Sequence, residues 1–288
     1  MTFGEALRWG TNELEKAGVP EASLNAWYLL QACVRNTGAC FDRGDYFLKK
    51  QEELPHKAGQ QYASFVAERM KRVPLEYITG STEFMGLPFV VNRHVLIPRQ
   101  DTETLVEMLC PLCQGKRVLD LCAGSGCIGL SIAALGKPER VVMSDVSPEA
   151  VRVAERNGKR FREERAETFS SQTEFVCGDL FENIHEKFDV IVSNPPYIES
   201  GVISGLMPEV RDFEPGGALD GGEDGLIFYR RILSEASAYL FKSGMLWFEI
   251  GYNQGESVVR LMKEHGFTET ECKKDLAGKD RVVYGRKG

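Results

Sequence analysis

The pattern of apolar positions changes character near residue 75. Before that point apolar residues recur at helical spacing, as at Tyr62, Phe65, Val66 and Met70, and Pro74 ends the last stripe. Such stripes are typical of helix faces that pack against one another. We therefore predict a small helical domain over residues 1–75.

In residues 76–97 apolar residues recur at a shorter spacing than in a helix, and this spacing is typical of strands. Apolar runs at 84–91 and 95–97 flank three polar residues, Asn92, Arg93 and His94. This pattern predicts a short β-hairpin that turns at residues 92–94. We interpret residues 76–97 as a linker between two domains.

From residue 98 to 288, buried strand-like runs alternate with amphipathic helices. Helices are predicted at 127–135, near 226–240 and at 255–265, and Ser147-Pro148 resembles the N-cap and first residue of another. Strands are predicted at 117–123, 141–145, 174–177, 188–193, 245–250, 267–272 and 281–285. This order predicts an α/β domain with a mostly parallel, doubly wound sheet, whose ligands bind at the strand carboxyl ends.

Composition narrows the class of protein. The 288 residues are 43% hydrophobic and 27% charged, as in an ordinary globular protein. A net charge of −7 provides no overall field that would attract duplex nucleic acid, so direct nucleic-acid binding is not expected. The first nine residues include Glu5 and Arg8 and lack a long apolar run, which predicts neither a secretory signal nor a membrane span and favours a cytoplasmic protein.

The cysteines and histidines suggest no metal or redox site. Eight cysteines are scattered along the chain, several within apolar runs, as expected for reduced core thiols. Cys110 and Cys113 form a single CxxC motif, and the four histidines lack ligand spacing. We expect no bound metal.

A glycine-rich loop follows the first strand of the α/β region. The sequence Asp120-Leu-Cys-Ala-Gly-Ser-Gly-Cys-Ile-Gly129 satisfies the GxGxxG pattern, in which glycines let the backbone approach a ligand at a helix N-terminus. Asp145 ends the next strand and is suited to accept both ribose hydroxyls of an adenosine. These features predict a nucleoside cofactor and do not separate NAD from S-adenosylmethionine. Tight packing of the glycines and helix capping by Asp145 remain the alternatives.

Residues 194–197, Asn-Pro-Pro-Tyr, follow the strand predicted at 188–193. Since proline has no N–H, Pro195 and Pro196 present carbonyl acceptors, and the amide of Asn194 adds another. Two acceptors beside the ring of Tyr197 suit a flat group that carries an NH2. Adenine N6, cytosine N4 and glutamine Nε all meet this description, and a proline-rich turn with a buried tyrosine is the alternative.

The order of these features favours methyl transfer over hydride transfer. The histidines lie away from the predicted strand ends, apart from His185 in a loop, so no proton donor for a dehydrogenase is evident. The glycine loop, Asp145, Gly178-Asp179-Leu180 and Asn194 to Tyr197 resemble class I methyltransferases that act on nitrogen. That resemblance implies that Asp179 accepts from the adenine amino group, that Leu180 lines the adenine face, and that Asp120 lies near the methionine end.

Further motifs over nearly the whole chain resemble the HemK/PrmC family of protein-(glutamine-N5) methyltransferases. They are Tyr77-Ile-Thr-Gly80 with Glu83-Phe84, Leu96-Ile-Pro-Arg-Gln-Asp-Thr-Glu103, Val192-Ser-Asn-Pro-Pro-Tyr-Ile198, Val210-Arg-Asp-Phe-Glu-Pro215, Ala218-Leu-Asp-Gly-Gly-Glu-Asp-Gly225 and Asp275-Leu-Ala-Gly-Lys-Asp-Arg-Val-Val283.

This resemblance implies a fold, a reaction and a partner. The fold would be the Rossmann-like, seven-stranded class I methyltransferase domain over residues 98–288, and the helical domain with the hairpin would engage the protein substrate. The methyl donor would be S-adenosylmethionine, with S-adenosylhomocysteine as product. The acceptor would be the glutamine of the Gly-Gly-Gln motif in class 1 peptide chain release factors, and we expect a monomer.

The expected site residues follow from the motifs. Cofactor contacts are expected from Asp120, Cys122, Ala123, Gly124, Ser125, Gly126, Asp145, Asp179, Leu180 and Asn194. Catalytic roles are expected for Asn194, Pro195 and Tyr197, and substrate contacts for Asn194, Pro195, Pro196, Tyr197 and Arg99.

Two positions depart from the family pattern, which often has Gly at Cys122 and Pro at Gln100. At Cys122 we expect less tolerance for backbone strain, with cofactor binding retained. Arg99 either guides the substrate or pairs with Glu103. A surface ion pair of this kind needs no functional role and is the simpler interpretation.

Three other functions remain open from the sequence. Ranked after glutamine methylation, the second is an adenine-N6 methyltransferase acting on DNA or RNA, which the negative net charge of the chain disfavours. The third is a catalytically silent binding module, and the fourth is a dinucleotide-dependent oxidoreductase.

Overall fold

The computed structural model describes residues 1–165, 169 and 171–288. Its elements in chain order are α1 Phe3–Lys16, α2 Ala22–Arg35, α3 Arg43–Lys49, α4 His56–Met70, α5 Leu75–Thr79, β1 Ser81–Phe84, β2 Leu87–Val90, α6 Gln100–Leu109, β3 Arg117–Leu121, α7 Cys127–Leu135, β4 Arg140–Asp145, α8 Pro148–Glu164, β5 Gln172–Cys177, β6 Phe188–Ser193, α9 Pro208–Arg211, α10 Ile227–Tyr239, β7 Leu240–Glu249, α11 Gly255–Glu264, β8 Phe267–Lys274 and β9 Asp280–Lys287. Within these ranges, no helix is long and apolar enough to cross a membrane.

The chain forms two compact units. Unit 1 comprises Met1–Gly80 and Met207–Phe213, and unit 2 comprises Ser81–Leu206 and Glu214–Gly288. The sequence pattern assigned residues 207–213 to the α/β domain, whereas the structure groups this segment with unit 1. Long-range side-chain contacts, which periodicity does not reveal, account for this grouping.

The apolar stripe predicted at residues 62–70 forms one face of α4 in unit 1. Tyr62 and Val66 are fully buried, while Met70, at the end of the stripe, is 37% exposed. Arg69 is only 5% exposed although it is charged. Burial of a guanidinium requires a partner of opposite charge.

Glu209, in α9, is that partner. Arg69 Nη2 donates to Glu209 Oε1 at 2.9 Å, and Arg72 donates to the same carboxylate through Nε and Nη2, each at 2.7 Å. Burial tends to raise the pKa of Glu209, but the hydrogen bonds from Arg72 and Arg69 outweigh it and hold this pKa below its ordinary value. The three charged side chains therefore fasten residues 207–213 within unit 1.

Replacing Glu209 with alanine leaves two guanidinium groups without their buried partner. We expect Glu209→Ala to lower the free energy of unfolding by about 3 kcal/mol, measured by urea denaturation. Asp212→Ala is the matched control, because Asp212 lies in the same segment and pairs with Arg211 at the surface. The control should change stability by less than about 1 kcal/mol. Equal losses in both variants would contradict the role of the buried carboxylate.

The predicted hairpin turns at a different place in unit 2. The structure pairs β1 with β2, with Phe84 opposite Leu87, so the turn consists of Met85 and Gly86 and not of residues 92–94. Both turn residues have positive φ, 53° and 68°, as a two-residue type I′ turn requires. The prediction was wrong because methionine rarely signals such a turn. Residues 95–97 form no strand.

The α/β architecture is confirmed. Unit 2 contains a seven-stranded sheet in the order β5-β4-β3-β6-β7-β9-β8, in which β9 alone runs opposite to the other six strands. Successive residues of a strand face opposite layers, so Val118 and Val190 pack with α6, α7 and α8 while Leu119 and Ile191 pack with α10 and α11. The helix at 127–135 and the strand at 188–193 were predicted to the residue. β7 begins at Leu240, five residues before its predicted start, because residues 241–243 are exposed and lack the apolar signal.

The strand order reverses at β3, which lies between β4 and β6. In open α/β sheets the crevice at such a reversal, outside the strand carboxyl ends, is where ligands bind. The residue that follows β3 is Cys122, whose φ of 60° is in the left-handed region. For a residue with a β-carbon this conformation costs about 1–2 kcal/mol.

This strain gives a stability prediction for Cys122. Glycine relieves the strain and costs about 0.5–1 kcal/mol in chain entropy, so Cys122→Gly should match or exceed wild-type stability by up to about 1 kcal/mol. Cys122→Val should lose stability, since β-branched residues tolerate positive φ poorly. Urea unfolding without cofactor measures both. A glycine variant less stable than the valine variant would contradict this account.

Candidate functional site

A cavity of about 190 Å³ lies at the carboxyl ends of β3, β4 and β6. Seven of the residues predicted for the site line it: Cys122, Gly124, Asp145, Asp179, Leu180, Asn194 and Pro196. Ala123, Ser125, Gly126, Asp120, Arg99, Pro195 and Tyr197 lie outside the lining. Sequence reasoning missed other wall residues, among them Val95, Val146, Pro215, Ala218 and Phe228. All but Phe228, which lies in the first turn of α10, come from connecting segments, where no periodic pattern marks a residue as facing a cavity.

Asp145 holds the glycine loop against the end of β4. Its Oδ2 accepts from the Gly124 N–H at 2.8 Å and its Oδ1 from the Ser147 N–H at 2.9 Å. The cap of α8 is Ser147, whose hydroxyl accepts from the Ala150 N–H at 3.1 Å, as the sequence predicted. Burial raises the pKa of Asp145 above its ordinary value, against the effect of the two backbone hydrogen bonds.

Asp120 is a fully buried carboxyl at the end of β3. Its Oδ2 accepts from the Gly129 N–H at 2.8 Å, while Oδ1 has no hydrogen-bond partner among the described residues. Burial raises the pKa of Asp120 to about 8, partly offset by the Gly129 hydrogen bond. A β-carbon at Gly129 would lie 2.5 Å from Met143 Cγ and 3.0 Å from Asp120 Oδ2, so this third glycine of the motif serves close packing.

Asp179 and Leu180 follow β5 on another side of the cavity. Asp179 Oδ2 accepts from Arg231 Nη2 at 2.8 Å, and both side chains are close to half exposed. Leu180 is 5% exposed. A charged surface pair of this kind contributes little stability and is readily exchanged for another donor.

Asn194 directly follows β6, and its amide has a defined orientation. Its Nδ2 donates to Thr102 Oγ1 at 3.4 Å, and its Oδ1 makes no hydrogen bond with any described residue. The amide oxygen is therefore available as an acceptor at the cavity wall.

Pro195 and Pro196 are buried, and the loop beyond them is held on both sides. The Tyr197 carbonyl accepts from Gln254 Nε2 at 3.0 Å. A β-carbon at Gly225, whose φ is 68°, would lie only 2.4 Å from that carbonyl. The glycine-rich motif at residues 218–225 thus allows close packing against Tyr197.

Side chains at the start of α6 contact residues of other sequence motifs. Arg99 pairs with the buried Glu214, and not with Glu103 as one interpretation had it. Glu103 Oε1 instead accepts from the Met85 N–H of the hairpin turn at 2.6 Å. The pairing also shows that the Arg99 guanidinium is held by a carboxylate of the motif at residues 210–215.

Thr102 and Glu249 contact the predicted site residues and were not recognised from the sequence. Thr102 accepts from Asn194, and Tyr197 Oη donates to Glu249 Oε1 at 3.4 Å. Burial raises the pKa of Glu249 to about 7, while the Thr102 hydroxyl and the charge of Arg281 oppose the shift. The one signal in the sequence was a charged residue at the end of the apolar run Trp247-Phe248-Glu249.

Comparison with known proteins identifies relatives over the whole chain. Residues 5–80 match the PrmC N-terminal domain, and residues 99–207 match the methyltransferase small domain. A release factor glutamine methyltransferase of Geobacter sulfurreducens is 40% identical over 289 residues, which cover 100% of this chain and 97% of the relative. One from Clostridium acetobutylicum is 42% identical over 253 residues, which cover 86% of this chain and 87% of the relative.

Solved structures support the fold alone. A methyltransferase from Pyrococcus furiosus aligns with a TM-score of 0.54 at 18% identity, over 71% of this chain and 91% of its own. The sequence relatives carry the assignment, because their identity extends through both units. The chain belongs to the HemK/PrmC family, the release factor glutamine methyltransferases, as its motifs indicated.

Proposed function

We propose that this protein transfers a methyl group from S-adenosylmethionine to the side-chain amide nitrogen of the glutamine in the Gly-Gly-Gln motif of class 1 release factors. The observation that carries the proposal is the orientation of Asn194, whose Oδ1 is free to accept while Nδ2 is engaged by Thr102. The names of the full-length relatives supply the substrate.

The residues around the cavity fit this cofactor. Asp120 lies outside the cavity lining, and the charge of its carboxylate, whose buried Oδ1 has no partner among the described residues, would attract the cationic methionine end. Asp145 would hold the ribose hydroxyls, and Asp179 with Leu180 would hold the adenine. When bound, S-adenosylmethionine supplies a methyl group on a sulfonium, which is an electrophile without further activation.

The protein's own task is to make a poor nucleophile reactive. An amide nitrogen attacks weakly because its lone pair is delocalised into the carbonyl. Asn194 Oδ1 and the Pro195 carbonyl would accept its two N–H groups, which raises electron density on nitrogen and fixes the direction of the lone pair. Orientation of this kind contributes up to about 7–11 kcal/mol, so no strong base is needed before transfer.

The same two acceptors select against glutamate. A carboxylate has no hydrogens to donate and would leave both acceptors unpaired, at a cost of about 1–3 kcal/mol each. The ring of Tyr197 would stack on the flat amide and stabilise nearby positive charge.

The substrate class is tested by offering each candidate substrate in its own reaction. The protein is incubated with labelled S-adenosylmethionine and, in separate reactions, with purified release factor, DNA and ribosomal RNA, and the methyl group is mapped by mass spectrometry. We expect label on the Gly-Gly-Gln glutamine only. Label on adenine and none on protein would replace the proposal with the adenine-N6 alternative, which the charge of −7 disfavours. A cytoplasmic monomer remains our expectation for such an enzyme.

Replacing Asn194 with alanine should separate catalysis from cofactor binding. We expect Asn194→Ala to lower kcat at least about a hundredfold, because the amide loses one of the two groups that orient it. The dissociation constant for S-adenosylmethionine, measured by calorimetry, should change by less than about a factor of ten. An active Asn194→Ala variant would rule out the proposed role.

Asp120→Asn tests the buried carboxyl through pH. Because the folded protein raises the pKa of Asp120 to about 8, its ionisation costs stability as pH rises through that value. Without cofactor, the melting temperature of Asp120→Asn relative to wild type should therefore increase from pH 5.5 to pH 8.5. Cofactor affinity should fall about tenfold or more, since the attraction between the carboxylate and the cationic cofactor is lost. A difference in melting temperature that is independent of pH would contradict this assignment.

A further inference from the structure

Glu249 occupies a position directly beside the proposed acceptor residues. It ends β7, and the parallel register that places Ser193 opposite Phe248 brings the next residues, Asn194 and Glu249, to neighbouring strand ends. Glu249 is 1% exposed, and its flanking residues Phe248 and Ile250 are fully buried. An ionisable side chain therefore stands at a position where the fold alone favours an apolar one.

The carboxylate contacts two different parts of the acceptor site. Tyr197 Oη donates to Glu249 Oε1 at 3.4 Å. Thr102, which is 2% exposed, accepts from Asn194 Nδ2 at 3.4 Å, and its hydroxyl lowers the pKa of the neighbouring Glu249 carboxyl. A hydroxyl that accepts from Asn194 still has its own proton to donate. Asn194, Thr102, Glu249 and Tyr197 therefore form one polar cluster, with hydrogen bonds from Asn194 to Thr102 and from Tyr197 to Glu249.

Stability does not explain the presence of this carboxylate. The nearby cation, Arg281, pairs with Asp101, with Nη2 2.8 Å from Oδ2, and donates to Asp275 Oδ2 at 3.2 Å and to the Ile250 carbonyl at 3.4 Å, so none of its hydrogen bonds goes to Glu249. Glu249 Oε2 has no hydrogen-bond partner among the described residues. A buried carboxylate with incomplete hydrogen bonding is a net cost to folding.

We propose that Glu249 is a positioning residue for the methyl acceptor: its carboxylate fixes the Tyr197 ring through the phenol hydroxyl and fixes the Asn194 amide through Thr102. This inference rests on the proposed function and adds to it the group that aligns both acceptor contacts. Without Glu249, Thr102 has no fixed acceptor for its proton. The Asn194 amide can then rotate and present Nδ2, a donor, to a substrate N–H.

Stability and catalysis should respond to Glu249→Gln in opposite directions. The variant keeps the shape of the side chain and removes the buried charge. We expect its free energy of unfolding, measured in urea, to equal or exceed that of wild type. We expect kcat for methylation of release factor to fall about 10- to 100-fold, while KM for release factor and the dissociation constant for S-adenosylmethionine change less than about threefold.

Tyr229→Phe is the matched control. The Tyr229 hydroxyl donates to the backbone carbonyl of Glu249 at 2.9 Å and to Gln254 Oε1 at 3.5 Å, and it makes no hydrogen bond with Asn194 or with Tyr197. Its loss perturbs the same strand end without touching the carboxylate, so it should lower stability and leave kcat within about twofold of wild type. A residue with a purely structural role behaves like this control.

A double-mutant cycle tests whether Glu249 affects kcat through Thr102 and Tyr197. If Glu249 acts through Thr102 and Tyr197, then Glu249→Gln should lower kcat much less in a Thr102→Val, Tyr197→Phe background than in wild type. Three results would overturn the proposal. Glu249→Gln could keep the kcat of wild type, it could lose stability together with activity, or its effect on kcat could be the same in both backgrounds.

Failure of the proposed function gives a different result. If wild type methylates adenine and not release factor, the same variants are compared on adenine, whose NH2 group needs the same alignment. Loss of kcat in Glu249→Gln would then sustain the positioning role with the other substrate. Absence of methyl transfer by wild type to either substrate would overturn both proposals.

Discussion

Arg99 to Glu103, at the start of α6, connect the separate parts of the active-site domain. Arg99 pairs with Glu214, Asp101 with Arg281, and Thr102 with Asn194, while Glu103 holds the turn of the hairpin. These contacts tie three loops and the start of β9 to one helix terminus. The geometry of the proposed acceptor site depends on this constraint, because Asn194 and Pro195 lie on a loop that cannot position two acceptors by itself.

The carboxyl groups around the site share one electrostatic property, a pKa above the ordinary value. Three carboxyl groups, the buried Asp120 and Glu249 and the partly buried Asp145, have pKa values raised by desolvation around the ends of β3, β4 and β7. Clusters of perturbed carboxyl groups are typical of functional sites, since a fold gains nothing from them. A cationic cofactor would favour their ionised forms, and their charge disfavours a glutamate side chain where glutamine is accepted.

Local patterns predicted the elements and the motifs that carry chemistry. The strand before Asn194, the helix after the glycine loop and the Ser147 cap follow from hydrophobic runs and from residues with fixed backbone preferences. The hairpin turn at Met85 and Gly86 did not, because the turn uses a residue that seldom adopts positive φ. Thr102, Glu209 and Glu249 were not predicted because their partners lie 52 to 140 residues away along the chain. Such contacts are decided by the packed fold and leave no periodic signal.

The central claim is that Asn194 Oδ1 and the Pro195 carbonyl hold the two N–H groups of the substrate amide. The most direct test is a crystal structure of the protein with S-adenosylhomocysteine and a release factor that contains the Gly-Gly-Gln loop. The account predicts that the glutamine nitrogen lies within about 3.2 Å of both oxygens, the range of an N–H to O hydrogen bond. A glutamine nitrogen that contacts neither oxygen, or a glutamine carbonyl facing Asn194 Nδ2, would contradict it.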